Sequence, residues 1–479
     1  MEKHFARTEM LPPLAPPVTE RGLVKWLREN LFSGWFNTIL TLVGLWVIYT
    51  LVSSALPWWL NSVWNAGSLA ECREIVTASA GEGATGACWA MIRERWHQFL
   101  FGFYPGEAYW RPVLAFGLLF AALGPVLFAG QKRNLTILLA GVAVFLALTL
   151  VPAHAPGAAL GAAVVLLAVL LIAAQVAPGK LLWFTAIFPA LCFWLLWGGS
   201  VWTPVVAMLG FVVMGGAYLA LVGRMGPTTS ALIGVLLAVL WWLFMDVPLA
   251  GAIDGVLPWG LASVNSDQFG GFLLAITIGV TAITFSLPIG ILLALGRQSD
   301  MLIVKTLCVG FIEFIRGVPL ITLLFTASLL LQYFLPPNTN FDIILRVIIL
   351  VTLFAAAYLA EVIRGGLAAL PRGQYEAADA LGLDYWRAQR LIILPQALKI
   401  SIPAIVSTFI GLFKDTTLVA FVGLMDPLKG VTQIVRADIN WKGIYWEPYI
   451  FVGAIFFLIC FGMSRYSMYL ERKLKTDHR

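Results

Sequence analysis

Apolar stretches of about 20 residues recur along almost the whole chain, and no other feature limits its fold so strongly. A helix needs about that many residues to cross roughly 30 Å of hydrocarbon with its backbone hydrogen bonds satisfied internally. The stretches lie at 36–56, 113–130, 134–152, 158–176, 182–199, 203–222, 229–247, 269–295, 306–334, 343–363, 401–425 and 449–470. The alternation expected of barrel strands, over about 10 residues, is absent. With 60% hydrophobic and 12% charged residues, the soluble globular class is excluded. The expected fold is an all-α polytopic membrane protein of about twelve transmembrane helices.

An even number of spans puts both termini on one side of the membrane. The segments assigned to that side, counted with Arg465 at the inner end of the last stretch, carry 21 of the 31 Lys and Arg, and the opposite segments carry 7. The remaining Arg316, Arg346 and Lys414 fall within or beside spans. The positive-inside rule therefore makes both termini cytoplasmic. The net charge of +6 sits in short loops and tails where topology and anionic lipid account for it, so a nucleic-acid partner is not expected.

Three segments follow from the composition. Residues 1–35 are polar, with Pro12, Pro13, Pro16 and Pro17 before a basic stretch, and read as a cytoplasmic tail. The first apolar run begins too late, and is too long, for the core of a signal peptide. Residues 36–255 hold additional helices and one long outer loop near 57–111; residues 256–479 form a second region. Cys192, Cys308 and Cys460 lie in apolar runs and pack as small hydrophobes, whereas Cys72 and Cys88 share the outer loop. Those two either pair in an oxidising compartment or stand as separate thiols.

The two regions differ in their charges. From 113 to 247 very few ionisable residues fall inside apolar runs, which reads as peripheral scaffold. From 269 onward Glu313, Arg316, Glu361, Lys414 and Asp415 lie at or within them, with the helix-breaking Pro288, Pro319 and Pro403. Each such charge is costly in a bilayer and a candidate for the transport path. The spacing of three residues also allows plain pairing, Glu313 with Arg316 and Glu361 with Arg364. Lys414 and Asp415 lie about 100° apart on a helix and cannot face one another. Followed by Thr416 and Thr417, they form the most polar cluster within any span.

The most specific local pattern is EAADALGLDYWRAQRLIILP, Glu376 to Pro395, in a segment assigned to the cytoplasm. Tyr375 to Leu381 reads as a short helix ended by Gly382 in the left-handed conformation. Leu383 supplies the next apolar contact, and Asp384 can cap a second helix from Tyr385. Ala377, Ala380, Leu381, Leu383, Tyr385 and Trp386 then form an apolar display suited to a groove on a partner. Lying on lipid is the bland alternative.

The spacing filled by Glu376, Ala377, Ala378, Gly382, Ile392, Leu394 and Pro395 resembles the EAA loop of ABC-importer permeases. The flanking AEVIRGGLAALPRGQYEAA, LPQALKISIPAIVSTFIGLFKDTTLVAFVGL and FIEFIRGVPLI resemble its polar amino-acid branch, in particular the M-type permease subunit of general L-amino-acid importers. The likeness covers about 265 to 475.

The resemblance implies a five-helix permease core in the bacterial inner membrane. It would translocate L-amino acids from periplasm to cytoplasm with broad specificity. The implied partners are two ATP-binding-cassette subunits, a second homologous permease and a periplasmic amino-acid-binding protein. Glu376, Ala377, Ala378, Leu381, Gly382, Leu383, Asp384, Tyr385, Trp386 and Arg387 would form the element coupled to the ATPase. Glu361, Lys414, Asp415, Thr416 and Thr417 are the candidates for the substrate path. No GxxxxGK[ST] run occurs, so ATP and Mg belong to the partner ATPase, the chain itself is not an enzyme, and no metal site is expected. A secondary transporter would match the span count but calls for related halves, and a purely structural subunit would not need the apolar cytoplasmic display.

Overall fold

The computed structural model describes residues 22–474 apart from 129, 331–332 and 334–341. The proline-rich start of the tail and nearly all of the outer loop expected at 335–342 lie outside the described residues. The chain divides into two compact units, Met1–Arg93 with Ile439–Glu447, and Glu94–Asp438 with Pro448–Arg479.

In the first unit α1 (Gly22–Asn30) precedes α2 (Trp35–Leu60), a long apolar helix with no buried residue. It is followed by α3 (Leu69–Ala80), capped by the Ser68 hydroxyl, which accepts from the Glu71 amide at 3.1 Å. Cys72 and Cys88 are joined in a disulfide with Cα atoms 6.0 Å apart. The Cys88 amide donates to Glu447 Oε1 at 2.8 Å, and the Trp89 ring lies against those of Trp58, Trp59 and Trp64. Next along the chain is α4 (Ala90–Phe101).

The second unit begins its membrane helices with α5 (Trp110–Leu127), α6 (Lys132–Leu150), α7 (Gly157–Val176) and α8 (Leu181–Trp197). Then come α9 (Trp202–Met225), α10 (Pro227–Leu240) and α11 (Asp246–Asp254). Gly199–Ser200 and Gly260–Leu261 pair as a two-residue antiparallel ribbon, Gly199 opposite Leu261. The core follows: α12 (Gly271–Arg297), α13 (Leu302–Gly317), α14 (Leu320–Phe325), α15 (Ile343–Ala368), α16 (Gly373–Ala380), α17 (Tyr385–Ala388), α18 (Leu394–Asp415), α19 (Pro427–Ala437) and α20 (Trp446–Leu474).

One hydrophobic cluster crosses the compositional boundary near 255, joining Leu118, Leu139, Leu167 and Leu195 of the additional helices to Leu274, Ile278, Ile344 and Val351 of the core. The scaffold is thus fused to the core through shared packing. A second cluster, with Ile312, Leu359, Ile363, Ile393 and Ala397, lies wholly within the core.

Among the described residues eleven helices are long and apolar enough to cross a membrane. The expected crossing at 306–334 is instead divided. Val318 is extended (φ −105°, ψ 132°) before Pro319, the conformation a following proline imposes. The chain then resumes as α14 and a wide π turn, Thr326–Leu330. The expected span at 401–425 also changes form: α18 stops at Asp415 and a tighter 3-10 segment, Thr416–Val422, continues. Pro288 and Pro403 sit inside α12 and α18 without ending them, so of the three prolines singled out as helix breakers only Pro319 acts as one.

Candidate coupling and transport site

The 376–395 segment folds as its local chemistry dictates. Gly382 has φ +66°, and its amide donates to the Asp379 carbonyl at 2.9 Å while that of Leu383 donates to Ala378 at 3.2 Å. This pair of bonds is the Schellman closure of a helix end. The Asp384 carboxylate then accepts from the Arg387 amide at 2.9 Å, capping α17, and lies 3.2 Å from the Arg387 guanidinium. A wide π turn, Gln389–Ile393, carries α17 directly into α18.

The two faces of this element differ. Ala378 is buried, Tyr375 packs against the cluster of Ile363, Leu367 and Ala397, and Gln396 Nε2 donates to Gln374 Oε1 at 2.9 Å. Burial raises the Tyr375 phenol above its ordinary pKa. Outward, Leu381 is 73% exposed, Tyr385 52% and Trp386 65%. Glu376, Ala377, Ala380, Asp384 and Arg387 are also exposed, while Leu383 is half-buried.

The core charges pair differently from the sequence expectation. Glu313 and Arg316 do not bond to each other. Arg297, the last residue of α12, reaches Glu313 at 3.0 Å and Glu361 at 3.2 Å, and Arg316 lies 3.6 Å from Glu361. Arg364 Nε donates to Glu361 Oε1 at 2.9 Å, as the spacing suggested. Glu361 is thus shared by guanidinium groups from α12, α13 and α15, and Arg316 also lies over the Tyr358 ring, 5.6 Å from its centroid. Packing of α13 against α12 and α15 supplies partners from three helices, which i, i+3 spacing along one helix cannot reveal. Arg297 is the residue that the sequence reading missed; its signal was a cation at the last position of a long apolar run.

Lys414 is exposed and Asp415 half-buried, and among the described residues neither reaches an opposite charge at ion-pair distance. The Thr416 hydroxyl, fully buried, donates to the Phe413 carbonyl at 2.7 Å, and that of Thr417 to the Lys414 carbonyl at 2.9 Å. The threonines thereby satisfy carbonyls freed where the α-helix ends. The structure brings Lys414, Asp415, Thr416 and Thr417 together at that helix end, separate from the Glu361 cluster. Among the described residues no group of His, Cys, Asp and Glu is arranged to hold a metal ion.

Residues 286–476 match the family described as binding-protein-dependent transport system inner membrane component. The chain is 61% identical to the glutamate/glutamine/aspartate/asparagine transport system permease protein BztC of Rhodobacter capsulatus, over 99% of both proteins. It is 34% identical to the inner membrane amino-acid ABC transporter permease protein YhdY of Escherichia coli, over 97% of this chain and 96% of the relative. Among solved structures, an amino acid ABC transporter with histidines is 30% identical over 42% of this chain and 91% of its own, at a TM-score of 0.38. Likeness to the two permeases runs from end to end, across the additional helices as well as the core, and the chain therefore belongs to the binding-protein-dependent transport system inner membrane components, in their amino-acid ABC transporter permease branch.

Proposed function

We propose that this chain passes L-amino acids from periplasm to cytoplasm, with acidic amino acids and their amides, the cargo named for its 61% identical relative, among its substrates. It does so within a complex of two ATP-binding-cassette subunits, a second homologous permease and a periplasmic binding protein. ATP and Mg are held by the ATPase subunits. The chain lies in the bacterial inner membrane with both termini cytoplasmic, as its Lys and Arg distribution supports.

The observation that carries this reading is the knob of Leu381, Tyr385 and Trp386, exposed at the tip of a rigid bend whose other face is packed into the core. Large apolar side chains held outward on a capped, two-helix element suit a groove on an ATPase. Glu376, Ala377, Ala378, Gly382, Leu383, Asp384 and Arg387 shape that element; Ala378 seats it and Gly382 sets its bend. Lys414 and Asp415, supported by Thr416 and Thr417, offer opposite charges at a broken helix, the kind of place where discontinuous helices meet a polar solute. Glu361, bound by three arginines, contributes to the path as the anchor of its cytoplasmic end.

Copurification tests the reading. The wild-type chain should retain an ATPase subunit through detergent extraction and size-exclusion chromatography. Leu381→Asp combined with Trp386→Ala should release it while the permease still inserts. Full retention by that variant would remove the basis for the coupling assignment.

A further inference from the structure

Arg346 occupies the first turn of α15, about 5 Å from its start, and only 6% of it is exposed. Its Nη1 donates to the Ser328 carbonyl at 2.5 Å, in the π turn of the divided element. Among the described residues its Nε is buried with no acceptor, and the hydroxyl of Ser328, itself 3% exposed, is buried without a partner. Among the described residues no carboxylate lies at ion-pair distance from Arg346. The connecting stretch 331–341 contains no Asp or Glu. Nearby Asp342 uses Oδ1 to cap α15, accepting from the Ile344 and Leu345 amides at 2.8 and 3.1 Å.

A guanidinium buried in a membrane protein is ordinarily paired, because an isolated buried charge is costly. Here a neutral carbonyl meets one of its donors, and an adjacent hydroxyl is also unmatched. Two unmet donors and a positive charge fit a carboxylate, which accepts from a guanidinium and a hydroxyl together. The facing segment is a π turn beyond a proline break, Thr326–Leu330, so its carbonyls depart from the regular i, i−4 pattern, and that of Ser328 is the one that accepts from Arg346.

We propose that Arg346, with the Ser328 hydroxyl, forms a carboxylate-binding site on the translocation path and takes a carboxylate of the transported amino acid. The site rests on the transport reading given above and adds to it the residues that neutralise the anionic end of the substrate. It is separate from the Lys414–Asp415 pair.

Proteoliposomes holding the assembled complex, loaded with radiolabelled glutamate, glutamine or asparagine through the binding protein, provide the test. Arg346→Met should assemble and keep the ATPase stimulation given by loaded binding protein, yet lose uptake per complex about tenfold or more. Arg346→Lys, which keeps the charge but not the fork, should recover part of it. Ser328→Ala should raise the KM for uptake several-fold at unchanged assembly. Wild-type uptake per complex in Arg346→Met overturns the site. Should that variant fail to assemble, unchanged KM and an unchanged ratio of glutamate to glutamine uptake in both Arg346→Lys and Ser328→Ala overturn it equally. A wild-type complex that carries none of the three amino acids would instead sink the transport reading, and the site with it.

Discussion

The additional helices α5–α11 and the core α12–α20 are built from nearly the same apolar alphabet, yet they keep their irregularities in different places. In α6 and α7 the buried residues are Leu135, Leu139, Val142, Leu146 and Leu150, then Ala163, Leu167, Leu170 and Ala174, aliphatic stripes at helical spacing with no charge among them. The core buries Arg346, half-buries Glu361 and Asp415, and breaks its helices at Val318 and after Asp415, whereas in the additional helices Arg111 is buried at the first turn of α5, donating to the Ala262 carbonyl. Uniform stripes give cohesion and nothing to bind. Interrupted helices and charges give up cohesion locally and place polar groups where lipid would otherwise be. Joined by one hydrophobic cluster, the first region steadies the second.

The sharpest test of this contrast is steric. A Cβ on Gly366 would stand 2.0 Å from Ser401 Oγ and 2.6 Å from the Ala397 carbonyl, so α15 and α18 meet backbone to backbone there, as small residues permit in membranes. Gly366→Leu should abolish recovery of folded subunit from detergent extracts, and normal yield would refute the close approach.

Next in size is Gly382→Val. Open space surrounds that residue, so the damage is conformational, about 1–2 kcal/mol for a left-handed residue and more for a β-branched one. Uptake should fall about tenfold at normal membrane levels, with Gly382→Asn much milder. Glu361→Gln would leave Arg297, Arg316 and Arg364 sharing a neutral amide. A loss of roughly 1–3 kcal/mol should lower the melting temperature of the purified subunit by several degrees, and an unchanged melting curve would show the cluster to be dispensable. Asp415→Asn and Lys414→Met should lower uptake per complex a few-fold and alter the order of preferred amino acids. Reduced assembly with an unchanged profile would make them anchors only. At the far end of the scale Gly161→Ala, in α7 with nothing within 4 Å of the new methyl, should leave yield and uptake unchanged.

Much of this architecture is legible in the sequence because it is set locally. Length and apolarity locate the helices, and Gly382, Leu383 and Asp384 specify a bend through bonds that reach only five residues. The pairing at 72 and 88 was open, since Cα separation is fixed by the fold of the loop. The partners of Glu313 and Arg316 were misjudged because ion pairs depend on how helices are set side by side, and Arg297 is 64 residues from Glu361. Proline gave mixed guidance: Pro319 ends a helix, while Pro288 and Pro403 are absorbed where neighbouring elements hold the ladder in place. Where the 401–425 span would stop could not be read, because Thr416 and Thr417 are compatible with a helix and become its terminus only once their hydroxyls turn back on Phe413 and Lys414.

Between the exposed Trp386 and the half-buried Asp415 there is no loop: α17, the π turn and α18 follow without a break in helical backbone. About 30 residues at 1.5 Å each make this a rod of roughly 45 Å, longer than the hydrocarbon is thick. A rod transmits tilt. A swing of about 5° about one end displaces the other by about 4 Å, by the same length. The knob and the charged break therefore stand at the two ends of one continuous helix, with the π turn at 389–393, next to the knob, as its least regular joint.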